Sequence, residues 1–366
     1  MKLFMWMVCL GFLMGCSAGT APSQGAKLST ETELNHLAVI ASDYSSGELL
    51  FFSLVTKEKK ATVPVHGDAM GRWVSDLGLF VVVNAMGADN LMGVNPKDGS
   101  VAFQVSVGRQ TNPQDIVMTS NGNAYVSRFD SETLAKLHLE KTSVNPEVRE
   151  STSVTAYADN DGFAEMYRMK LVGERVWLLL QRLNRNDGYQ VANYSSLLLV
   201  DPKTDQVTQE WKLTANNPVT EIKVGPSGDC FVGLGGKMGM YSELDGGIER
   251  LDPQSGKPLG LVVTEAQLGG DIVDFEVLDS GYIAIVAWEG KTSLVFWNQA
   301  LDTLTTLHRS EGYDLRSLIF DPSRGQVYVA DRLASRPSVT AWSVGSWEKQ
   351  FEIVTELPPY HMELLP

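Results

Sequence analysis

Histidine and cysteine are scarce in this chain of 366 residues, with five of the first and three of the second. His36, His66, His138, His308 and His361 form no HExxH and no pair at metal-ligand spacing, and no nucleophile elbow is present. The common zinc-hydrolase and serine-hydrolase signatures are thereby excluded. No CxxCH occurs, so the chain holds no covalent haem. Cationic side chains are the minority, 30 Lys and Arg against 44 Asp and Glu, for a formal charge of −14. Such a polyanion repels nucleic-acid phosphates, so nucleic acid is not expected as a partner. Long apolar runs are missing too. The N-terminal run, residues 3–14, stops short of the ~20 residues a membrane-spanning helix needs.

What is present begins with that run. "MKLFMWMVCLGFLMGCSAGT" has a charged start, an apolar middle, small residues and a cysteine, the pattern of a secretory leader. "LMGC", residues 13–16, resembles the lipobox of bacterial lipoproteins. The resemblance implies a signal peptide over residues 1–15, cleavage before Cys16, and acylation (palmitate and its like) of that cysteine. Several acyl chains exceed the roughly two signals that stable membrane attachment needs. Ser17 resembles the residue after the cysteine in lipoproteins sent to the outer membrane, so a lipid-anchored protein of the cell envelope is expected. Residues 16–33, small and polar, read as a flexible tether. Cys9 leaves with the leader and Cys16 carries lipid, so no intrachain disulfide remains. Cys230, in the apolar pattern "GDCFVGLGG", is expected in the core.

From residue 34 to 366 the chain repeats short β-rich runs separated by Gly, Pro, Asn and Asp turns. "NPQDIVMTSNGNAYVSRF", "IVDFEVLDSGYIAIVAWEG" and "LRSLIFDPSRGQVYVADRLA" each read as strand, turn, strand. Third strands run into "LMGVNPKDGS", "LLLVDPKTDQ" and "IERLDPQSGK". Strands recurring in fours at this spacing predict an all-β fold, a β-propeller. First strands align at Trp73, Asp115, Glu165, Glu221, Asp274, Ser317 and Met362, which predicts seven blades. The N-terminal stretch "HLAVIASDYSSGELLFFSLVTKEKKATVPVHG" supplies second, third and fourth strands without a first. The terminal "PPYHMELLP" supplies a first strand with nothing after it. The two should form one blade, a C-terminal clasp that closes the ring and leaves no open edge.

"NAYVSRF", "QVYVADR" and the turns "VDPKTD" and "LDPQSG" resemble the YVTN and quinoprotein-dehydrogenase-like seven-bladed propellers of bacterial envelopes. The resemblance covers residues 34–366 and implies the fold. The Gly-His and Trp-Asp pairs of WD repeats and the glycine pairs of kelch repeats are absent. No regular tryptophan pattern recurs from blade to blade, so a pyrroloquinoline quinone cofactor is not expected.

Residues opening the first strands should line the central channel. Asp115, Glu165, Glu221 and Asp274 would bring carboxylates together there, repelling by ~2 kcal/mol per neighbouring pair at an effective dielectric of ~20. Relief would come from backbone amides of the next blade, from a cation such as calcium, from a basic ligand, or from Arg316 and His361. "DNDGFAE" offers Asp159, Asp161 and Glu165 beside a glycine, a partial calcium-loop pattern that an Asx turn explains equally well. Three long loops, residues 151–165, 181–196 and 233–247, should share one face and present it to a protein or small-molecule ligand. The expected function is a binding or scaffolding lipoprotein with no resident cofactor. The alternative is a metal-dependent lactonase-like hydrolase or lyase, with the four channel carboxylates as ligands and His361 acting with Glu165 or Glu221 as acid and base.

Overall fold

Strands such as Leu79–Asn84 (LFVVVN) and Arg175–Leu180 (RVWLLL) are apolar at nearly every position and buried on both faces. A strand facing water on one side would alternate; these are covered twice, because each sheet is packed between two others. In the computed structural model, which describes residues 35–120, 122–140, 142–143, 145–238 and 243–366, this is what occurs. The leader, Cys16 and the tether expected from the sequence lie outside the described residues.

Among the described residues the strands form seven four-stranded antiparallel sheets and one small hairpin, Leu183–Asn184 with Gln190–Val191. The chain is a seven-bladed β-propeller. The innermost strands are Pro359–Leu365 (blade 1), Ala69–Val74 (blade 2), Pro113–Met118 (blade 3) and Met166–Val172 (blade 4). Lys223–Val224, Asp271–Leu278 and Leu315–Asp321 serve blades 5, 6 and 7. In blade 1 the clasp strand pairs with His36–Ser42, running from His36 opposite Leu365 to Ala41 opposite Pro359. The backbone amide of Ser42 extends the pairing to the Pro358 carbonyl at 2.8 Å. The predicted closure by both termini is therefore the observed one.

The core lies between blades. Leu37 and Val39 pack with Tyr328, Ala330 and Val339 of blade 7, while Ala38 and Ile40 pack with Phe80, Val82 and Met92 of blade 2. The strand's period of two thus serves two interfaces at once. Cys230 is a buried free thiol among Trp177, Leu179 and Leu251, and burial raises its pKa. Outer strands such as Val101–Ser106 and Thr303–Arg309 are largely exposed, as the solvent-facing edge of each blade must be.

One local irregularity matters for the channel. First strands carry a β-bulge near their start, between Pro113 and Asp115, between Ile272 and Asp274, and between Leu315 and Ser317. Blade 4 has the same irregularity between Met166 and Met169. A bulge adds a residue without a ladder partner and re-aims the side chain beside it.

Candidate functional site at the channel mouth

The inner strands converge on a cavity of about 230 Å³ whose lining includes Met70, Arg168, Glu221, Asp274, Ser317 and His361, with Arg316 and Tyr360 nearer the rim. Three of the four expected channel carboxylates lie in this inner region. Glu165 does not. In blade 4 the position equivalent to Asp115 belongs to Arg168, three residues later, because the bulge and the preceding turn take up the extra residues. His361 lines the cavity together with Met362, and Met70 lines it where Trp73 does not.

Each channel carboxylate already has partners. Asp115 accepts from the Nε and Nη2 of Arg72 at 3.1 and 2.9 Å and from the backbone amide of Met169, in the next blade, at 2.8 Å. Asp274 accepts from the amide of Leu318, again one blade on, at 2.9 Å. Glu363 takes the amide of Trp73 in the same sense. These carboxylates stitch one blade to the next. Arg72 also lies 3.7 Å from Glu221, and Lys223 lies 2.8 Å from Glu276 and 4.0 Å from Asp274. Burial pushes the Glu221 carboxyl up, but Arg72, Lys223 and Arg168 together hold it well below the usual carboxylate range. The channel is therefore a balanced ionic network, not an acidic well.

That balance decides whether calcium fits. A divalent ion wants several oxygens converging without competing cations. Here Arg72 and Lys223 occupy the space among Asp115, Glu221 and Asp274, so this donor set does not suit a divalent cation. His361 is 8% exposed, and its Nε2 donates to the carbonyl of Gly71 at 2.7 Å. Gly71 permits close packing at that point, since a Cβ there would meet the Phe80 ring at 2.3 Å. Burial, and then Arg168, pull the His361 pKa down to about 4. It is a neutral, anchored imidazole and a weak base at neutral pH.

Two guanidinium groups lining the cavity differ from that of Arg72. Arg168 is 9% exposed, donates through Nη1 to the Gln114 carbonyl at 3.0 Å, and has no partner at Nε. Among the described residues it makes no ion pair, unlike Arg72 and Lys223. Arg316 is exposed at the rim; its hydrogen bond runs from Nη2 to the Tyr360 hydroxyl at 3.2 Å. Tyr360 meets Tyr44 edge to face at 6.0 Å, and Arg332 lies over both rings, 4.9 and 5.5 Å from their centroids. Tyr44 and Arg332 come from loops between second and third strands, so the looped face and the channel mouth are one surface.

Glu165 sits elsewhere on that face, fully buried, with Asp159 and Asp161 within 4.8 Å. Asx turns account for the aspartates: Asp159 accepts from the amide of Asp161 at 2.8 Å, and Asp161 from that of Phe163 at 3.0 Å. The cation among them is Arg185, 3.4 Å from Glu165, 3.8 Å from Asp161 and 2.7 Å from Asp130. Burial, then Asp161 and Asp159, push the Glu165 pKa up to about 8. A carboxyl raised in the folded state binds its proton more tightly there, so stability falls as pH rises from the unfolded value through the folded one. Above pH ~6.5 the His361 contribution, which is lost only on acidification, is complete. We expect the melting temperature to drop between pH 6.5 and 8, and Glu165→Gln to flatten that slope; thermal melts at half-unit pH steps read it. An unchanged slope in the variant would assign the drop to other groups.

No family model and no curated protein sequence matches the chain. Solved structures do match it in shape. A putative 6-phosphogluconolactonase from Bacteroides fragilis is 12% identical with a TM-score of 0.62, over 90% of this chain and 98% of that one. The dihydro-heme d1 dehydrogenase NirN, in complex with DHE, is 10% identical with a TM-score of 0.57, over 94% and 78%. AztD from Citrobacter koseri is 12% identical with a TM-score of 0.55, over 89% and 96%. These likenesses establish the propeller. At such identities they carry no activity across.

Proposed function

We propose that this chain is an envelope binding propeller, held to the outer membrane through a lipidated Cys16, which takes a ligand at the channel mouth. One observation supports it above the others. The acid and base groups of the channel are tied into blade-to-blade contacts, while Arg168 and Arg316 keep donor groups unused beside an open cavity. That arrangement suits holding a molecule, since a catalytic base needs a free lone pair and a pKa near the working pH. The lactonase-like alternative draws on the shape of the Bacteroides fragilis neighbour, but its required metal ligands are the carboxylates already paired with Arg72 and Lys223.

The anchor is directly testable. Produced in a Gram-negative host, the protein should take up labelled palmitate and fractionate with outer membranes. Cys16→Ser should remove the label and leave soluble periplasmic protein. Label retained by the variant would refute the anchor. Turnover of a lactone or ester by the purified protein would refute the binding role.

A further inference from the structure

We propose that the channel mouth binds a small solute bearing an oxyanion, a carboxylate or phosphate, gripped by Arg168 and Arg316. This rests on the binding reading above and specifies its ligand.

A guanidinium offers five donors in a planar fork that matches carboxylate and phosphate oxygens. Arg168 places one of them on the Gln114 carbonyl and leaves Nε without a partner, inside the protein. Asp115 and Glu221 are near enough to stabilise the Arg168 charge, but among the described residues neither forms an ion pair with it: Glu221 lies against Arg72, and Asp274 against Lys223 and the Leu318 amide. A buried guanidinium with a donor left unpaired favours a further acceptor, which an entering oxyanion supplies. Arg316 supplies a second guanidinium to the lining of the same cavity, exposed and hydrogen-bonded to the Tyr360 hydroxyl.

The walls restrict the ligand further. The Arg168 guanidinium lies 5.3 Å from the centre of the Tyr167 ring and that of Arg316 5.0 Å from the centre of the Tyr360 ring, within cation–π range, so an aromatic ring flanks each of them. Tyr44, 63% exposed, and Arg332, whose Nη1 has no partner, continue this surface outward for the rest of the solute. The cavity, about 230 Å³, lies below the ~300 Å³ of usual drug-sized pockets. The acidic chain repels large polyanions, so a compact anion is the class that fits.

The test is isothermal titration of the full-length chain in neutral detergent at low salt. The probes are inorganic phosphate, citrate, glucose and spermidine. Phosphate or citrate should bind with one-to-one stoichiometry, weaken as salt rises, and raise the melting temperature. Arg168→Gln should weaken that binding at least tenfold and Arg168→Lys by less. Arg316→Gln, at an exposed position, should weaken it several-fold while leaving the unliganded melt in place, so a folding defect at Arg168 cannot mimic the result. Failure of both anions to bind, or wild-type affinity in the Arg168→Gln and Arg316→Gln variants, would overturn the proposal. Binding of glucose or spermidine instead would also overturn it, and would leave the binding reading intact. Lactone turnover alongside arginine-dependent anion binding would do the reverse.

Discussion

A chain shortened by residues 358–366 is expected to lose its cooperative thermal transition and to associate in solution. The clasp strand brings Met362, Leu364 and Leu365 into the core at 4%, 8% and 1% exposure. Burying side chains of this kind contributes roughly 1.5–3 kcal/mol each, so on the order of 5–9 kcal/mol disappears, as an upper value. Native proteins hold only about 5–15 kcal/mol in all. The loss does not end there. His36–Ser42, almost wholly buried in the intact ring, becomes an open apolar edge, which is a template for pairing with other chains. Arg72 also loses Glu363 from its surroundings. Circular dichroism melts and size-exclusion chromatography read both effects. A sharp melt within ~5 °C of the intact protein would show that the ring does not depend on its clasp.

The closure was legible in the sequence because an orphan first strand at one end and a blade lacking one at the other leave a single economical pairing. Aligning turns and apolar runs leads to Asp115, Asp274 and Ser317, which lie in inner strands, and to Glu221, which lies just before one. Glu165 was misplaced by three residues, and Arg168 was missed, for a physical reason. Bulges change how many residues separate a turn from the channel, and a bulge has no residue signature that periodicity can see. Lys223, Glu276, Glu363 and Lys170 were legible in principle. Each lies two residues beyond a channel position, and a strand returns to the same face every second residue. Reading the inner strands in steps of two, instead of at one position per blade, shows that cations accompany the carboxylates. On that pattern the sequence alone marks the channel as a paired ionic network.

That pairing also yields the largest single-residue effect expected here. Arg72 stands between Asp115, Glu221 and Glu363, and replacing it with Met keeps much of the volume while removing the charge. Breaking a buried ion pair from one side typically costs about 3–5 kcal/mol, because the partner charge stays behind unpaired. The expected loss at pH 8 is of that order, near the upper end since one cation serves several carboxylates. The pH dependence gives the cause. In the intact protein burial already pushes Glu363 up to about 7 while Arg72 opposes it, and the Glu221 carboxyl is held low chiefly by Arg72. Without the guanidinium all these folded-state pKa values rise. The folded variant then binds more protons than the folded wild type, so its relative stability must improve as pH falls. The deficit measured by urea unfolding should therefore shrink from pH 8 to pH 5. Adding Glu221→Gln to Arg72→Met should restore part of the stability at pH 8, because it removes one of the stranded charges. A deficit that is independent of pH, and untouched by the second change, would mean that Arg72 acts through packing of its aliphatic stem.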